Sequence, residues 1–203
     1  MNTDNATTRL LLLSYIPPLL VLALAHLLAD ALGVPFSTLT RDTAAVAGLP
    51  FVTGWISYLG AVLMAAAASV ALFTAAHARA RAYLAGLGLF SLALLGDDLF
   101  MLHDGLLAFM GIDETLVMGA YAVILMLILG SNLEHVRRAS LPLAIALAFF
   151  GLSSVVDLWP DQVFGNHRHL LEDGSKLLGI AGWLGYIVHI CHLEISRGRA
   201  SVG

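Results

Sequence analysis

Residues 51–76 read FVTGWISYLGAVLMAAAASVALFTAA, 26 residues without one charged side chain. About 20 apolar residues are enough to cross roughly 30 Å of hydrocarbon as an α-helix. Backbone groups in lipid must bond within the segment, and a continuous apolar run lacks the alternation of a barrel strand. The stretch therefore predicts a transmembrane helix, and its neighbours repeat the pattern. Working outward, apolar segments cover about 10–32, 82–110, 116–133, 141–159 and 170–195, which with 51–76 makes six. The expectation is an all-α polytopic membrane protein, a bundle of about six transmembrane helices forming one domain over 1–203. The first segment, which carries Pro17-Pro18, also has features of a signal peptide, with Ala29-Asp30-Ala31 as a small-residue cleavage site. Its apolar stretch is longer than a signal h-region, so it counts as a span.

Composition agrees. The chain is 59% hydrophobic and 12% charged, half the charge a soluble domain normally carries, with a mean hydropathy of +0.88. So little charge cannot solvate a globular surface, and the partner implied is the lipid bilayer. The net charge of −4 is small and says little about partners, and no basic patch points to a nucleic-acid partner. The single Cys191 excludes an internal disulfide or a thiolate metal cluster.

Arginines give the orientation. On the N-terminal side, called side B, lie Arg9, Arg79, Arg81, Arg137, Arg138, Arg197 and Arg199. The opposite side A holds Arg41 and Arg168, with Lys176 just inside the sixth span. The positive-inside rule makes side B cytoplasmic, with both termini inside, as for a protein of a bacterial plasma (inner) membrane.

The acids gather on side A. Asp42, Asp113, Glu114 and Asp161 read as loop charges, whereas Asp30, Asp97, Asp98, Asp104, Asp157, Glu172 and Asp173 sit within or beside apolar runs. An ionisable group at membrane depth costs roughly 2.5–3.5 kcal/mol on insertion scales, so it tends to face the bundle and serve function. The third span reads Gly96-Asp97-Asp98-Leu99-Phe100-Met101-Leu102-His103-Asp104-Gly105. In an unbroken helix Asp97 and Asp104 lie within about 20° of each other, with His103 and Asp98 flanking that line. The sixth span places Glu172 one turn before Lys176, a favourable acid-before-base order. The fifth adds Ser153, Ser154 and Asp157, and the first adds His26 and Asp30.

Carboxylates with imidazole suit a divalent metal (zinc, iron or manganese), and bundle cores are where such sites are built. The expected ligand pool is Asp97, Asp98, His103, Asp104, Asp157, Glu172 and Asp173. Such a metal would act as a Lewis acid or lower the pKa of a bound water. The chain would then be a membrane enzyme acting on a lipophilic small molecule, with Lys176 as the catalytic residue that binds an anionic group. No Glu-x-x-His or His-Glu-x-x-His spacing is present.

Two other functions use the same residues. Chains of Asp, Glu and His at membrane depth form proton relays, which would make the chain a small proton- or cation-coupled transporter or channel subunit. Along the sixth span only Trp183 and Tyr186 lie between side A and His189, so this relay stops partway. Paired histidines, His26 and His103, would instead suit a b-type haem. Asp157, Glu172, Asp173 and Lys176 also suit a buried ion-pair network that sets helix register. His77 and His135 read as solvated helix-end residues among arginines, His167 and His169 as loop residues, and His189 and His192 as interfacial. Gly179, Gly182 and Gly185 read as close-approach positions between helices.

Overall fold

The computed structural model describes residues 3–158 and 168–200; within these, the side chains of 3–10, Leu13, Asp104, Leu158 and 198–200 are left undescribed. Trp159, Asp161 and His167 lie outside the described residues. All regular elements among the described residues are helical. Five helices are long and apolar enough to cross a membrane. The chain divides into two compact units, Met1–Thr53 and Gly54–Gly203.

The first unit holds α1 (Thr3–Leu32), α2 (Ser37–Thr40) and α3 (Thr43–Ala47). Pro17 and Pro18 both fall inside α1. The segment after α1 is thus partly helical: Asp42 caps α3 by accepting the Ala45 amide at 3.1 Å, and Gly48 ends it at φ 67°.

The second unit holds α4 (Trp55–Ala75), α5 (Arg81–Phe100), a π-helical turn (Leu102–Leu107), α6 (Glu114–Gly130), α7 (Leu133–Arg138), α8 (Ser140–Leu158) and α9 (Arg168–Ala200). Lipid tails are as apolar as the helices, so association relies on close packing and polar contacts. The alanine run supplies the closeness, since Ala67, Ala68 and Ala71 are fully buried where α4 meets α5 and α9. A Cβ on Gly88 would come within 2.6 Å of Leu72 Cγ, and one on Gly182 within 3.1 Å of Ala146 Cβ. Gly179 likewise faces Phe150 of α8, at 2.9 Å from such a Cβ. Gly185, expected to act with them, has nothing within 4 Å.

These contacts also set direction. Gly60 meets Ile180 and Val70 meets Cys191, so α4 and α9 run parallel. Tyr83 meets Tyr186 and Ser91 meets Trp183, so α5 runs against α9. Gly179 and Gly182 on Phe150 and Ala146 make α8 antiparallel to α9 as well. The unit thus has an A end, where α4, α6 and α9 begin and α5 and α8 finish, and an opposite B end.

Two expected spans differ from the observed helices. The 82–110 segment is not one helix: Met101 takes a left-handed conformation (φ 49°, ψ 47°) and the chain continues as the π turn. The 116–133 segment becomes α6, 17 residues long, the shorter apolar helix of the set.

Candidate functional site

The break at Met101 builds the most buried polar contact at the A end. In an unbroken helix, side chains six residues apart are about 9 Å apart along the axis, beyond hydrogen-bond reach. With the helix broken, His103 folds back on Asp97. Its Nδ1 lies 2.5 Å from Asp97 Oδ2, and its backbone N–H donates to Asp97 Oδ1 at 3.1 Å. The two side chains are 14% and 5% exposed. Tyr121 of α6 lies near enough to the same carboxylate to interact with it electrostatically. A hydrogen on Nδ1 would let the ring donate to this carboxylate, and a carboxyl–imidazole contact is an arrangement that can pass a proton.

Asp98, the next residue, points the other way around α5. Its carboxylate meets the Lys176 ammonium of α9. The pair lines a small hollow of about 30 Å³ together with Ser57, Gly60 and Asp173. Glu172 does not take Lys176 as its partner, as the one-turn spacing suggested. It lies 3.6 Å from Arg168, which also holds Asp157 through the carboxylate at 3.4 Å and the backbone carbonyl at 2.9 Å. The Arg168-x-x-x-Glu172 spacing was present in the chain, but the position of Arg168 outside the apolar run disguised it.

The expected metal pool therefore separates into three groups: Asp97 with His103, Asp98 with Lys176 beside Asp173, and Asp157 with Arg168 and Glu172. Among the described residues no three His, Cys, Asp or Glu side chains come together as a metal-holding group. Asp104 lies in the π turn, and its side chain is outside the described set. His26, the other expected haem ligand, belongs to the first unit, where it lies 3.9 Å from Asp30 and edge-on to Phe36.

Sequence reasoning missed the polar seam between α5 and α9. Trp183 Nε1 donates to Ser91 Oγ at 2.9 Å, and Ser91 donates to the Leu87 carbonyl. Further along, the Tyr83 and Tyr186 hydroxyls hydrogen-bond each other. All four side chains are at most 2% exposed. At the B end the His135 ring packs on Tyr83, with centroids 5.2 Å apart. Its Nε2 lies 3.5 Å from Glu194, which also meets Arg138 and Arg197 at 3.5 Å. His135 is thus a half-buried partner of the buried Glu194 rather than a solvated helix-end residue. His77 stays exposed with Nδ1 on the Phe73 carbonyl, and His169, His189 and His192 are exposed.

A family model described as a domain of unknown function (DUF8692) matches residues 19–190, which takes in the Asp97–His103 pair and the α5–α9 seam and ends before Glu194. The chain belongs to the DUF8692 family. No curated protein and no solved structure matches it.

Proposed function

We propose that this DUF8692 protein is a small proton-coupled membrane transporter or channel subunit, and that Asp97 and His103 are its proton-binding pair. The observation that carries this is the buried 2.5 Å contact between them, produced by a helix break at that point. A non-glycine residue held in the left-handed region costs of order 1–3 kcal/mol, and such strain clusters at functional sites. Pairing of Asp98 with Lys176, and of Asp157 and Glu172 with Arg168, leaves these acids neutralised by cations rather than gathered around a metal. The hollow beside Lys176, at about 30 Å³, has room for a water or two and is far below the roughly 300–1,000 Å³ of typical ligand pockets, which favours a proton over a larger cargo.

In this proposal α1, α4, α5, α6, α8 and α9 are the six spans, α6 being at the short limit of about 17 residues. The arginine-rich B side, with both termini, faces the cytoplasm across a plasma membrane. The test is a pH gradient imposed on proteoliposomes and followed by an entrapped pH-sensitive dye. The wild type should carry protons, and Asp97→Asn and His103→Gln should each abolish this while Arg168→Gln does not. Unchanged flux in both site variants would overturn the assignment. Elemental analysis separates the competing proposal: near-stoichiometric metal, lost in Asp97→Asn, would favour a metal-dependent enzyme with Lys176 at its substrate.

A further inference from the structure

A seam that only had to pack would be served by Phe, Leu and Ala, because a buried hydroxyl without a partner is costly. The α5–α9 seam instead carries Ser91, Trp183, Tyr83 and Tyr186, all buried and engaged in the two side-chain hydrogen bonds described above. These groups lie between the Asp97–His103 pair and the B-end cluster. Along α5, Asp97 and Tyr83 are separated by about 21 Å at 1.5 Å per residue, most of a roughly 30 Å hydrocarbon core. The sixth span alone left the relay incomplete; α5 supplies the missing hydroxyls, and α7 supplies the far end through His135.

We infer that the α5–α9 seam is the route by which a proton taken up at Asp97 and His103 reaches Glu194 and His135, with Tyr83 and Tyr186 as relay hydroxyls. This rests on the proton-coupled function proposed above. A proton added to the Tyr186 oxygen releases that hydroxyl's own proton to Tyr83, whose own proton then leaves towards the B end. Both phenols finish neutral, one proton has moved, and no electron or carbon bond changes hands. The Ser91 hydroxyl is the station between Asp97 and Tyr186. The route requires water to bridge about 9 Å along α5 from Asp97 to Ser91 and about 12 Å from Ser91 to Tyr83, and again from Tyr83 to the cluster. The groups facing Glu194 there are His135 and Arg138 of α7 and Arg197 of α9, with Glu134 held by Arg138.

Tyr83→Phe and Tyr186→Phe remove the hydroxyls and keep the rings. In proteoliposomes each should lower proton flux by about a hundredfold, the low end for loss of a positioned proton carrier. Their melting profiles in detergent should stay close to wild type, which a purely structural hydrogen bond would not reconcile with lost flux. His135→Gln, at the end of the route, should show the same fall and serves if a phenylalanine variant does not fold. Wild-type flux retained by both tyrosine variants, or by His135→Gln, overturns the route while leaving the Asp97–His103 assignment to its own variants. Absence of flux in the wild type overturns both.

Discussion

The coupling between Asp97 and His103 can be measured apart from any transport. Truncating either to alanine removes a short, charge-assisted contact between side chains 5% and 14% exposed, where water screens little. Hydrogen bonds to charged groups contribute about 1.5–3 kcal/mol, and burial places this pair in the upper half of that range. Asp97 also accepts the His103 amide, so Asp97→Ala additionally strands a backbone donor and should cost more than His103→Ala. A double-mutant cycle of Asp97→Ala and His103→Ala, read by reversible unfolding in mixed SDS micelles, should return a coupling of about 2.5 kcal/mol. Hydrogen exchange offers a local check, because the amides of the π turn at 102–107 should lose protection in Asp97→Ala. A coupling under about 0.5 kcal/mol, as between exposed ion pairs, would refute the premise that these groups form the buried pair on which the proposed function depends.

Gly88→Ala should destabilise by about 1–3 kcal/mol, because its Cβ would fall 2.6 Å from Leu72 Cγ and overpack the α4–α5 contact. Gly185→Ala, with open space around it, should be neutral or raise the melting temperature, since alanine is the better helix former by about 1 kcal/mol; equal melting shifts for the two would contradict the packing described. For topology, Met110→Cys and Ala76→Cys should react with membrane-impermeant thiol reagents from outside and inside respectively. Buried Cys191 contributes little background, and labelling of both introduced cysteines from one side would exclude the proposed arrangement.

Much of the fold was legible in the chain because it follows from composition along single segments. The apolar stretches at 51–76, 141–159 and 170–195 correspond to α4, α8 and α9 within a few residues at most described ends. The break at Met101 was not legible. Gly96 to Gly105 contains no proline, and what holds the break is Asp97 accepting the His103 amide, a contact that exists only once the chain has turned. The gathering of acids was legible too, but their partners were not. Helical spacing ranked Glu172 with Lys176, whereas Lys176 reaches across to Asp98 on α5 and Arg168 takes Glu172.

By itself, the sequence determined what each segment needs from its surroundings: apolar runs too long and too poor in charge for water, and ionisable groups too costly to face lipid. Those are properties of single residues and of helical period, and they are local. Which charge meets which, and that Ser91, Tyr83 and His135 complete a polar seam begun by Trp183 and Tyr186, depended on α5 lying antiparallel to α9 with α4 parallel beside it. Residues about a hundred positions apart become neighbours only through that packing, and Gly88, Gly182 and the alanines of α4 set it by deciding how closely two backbones can approach.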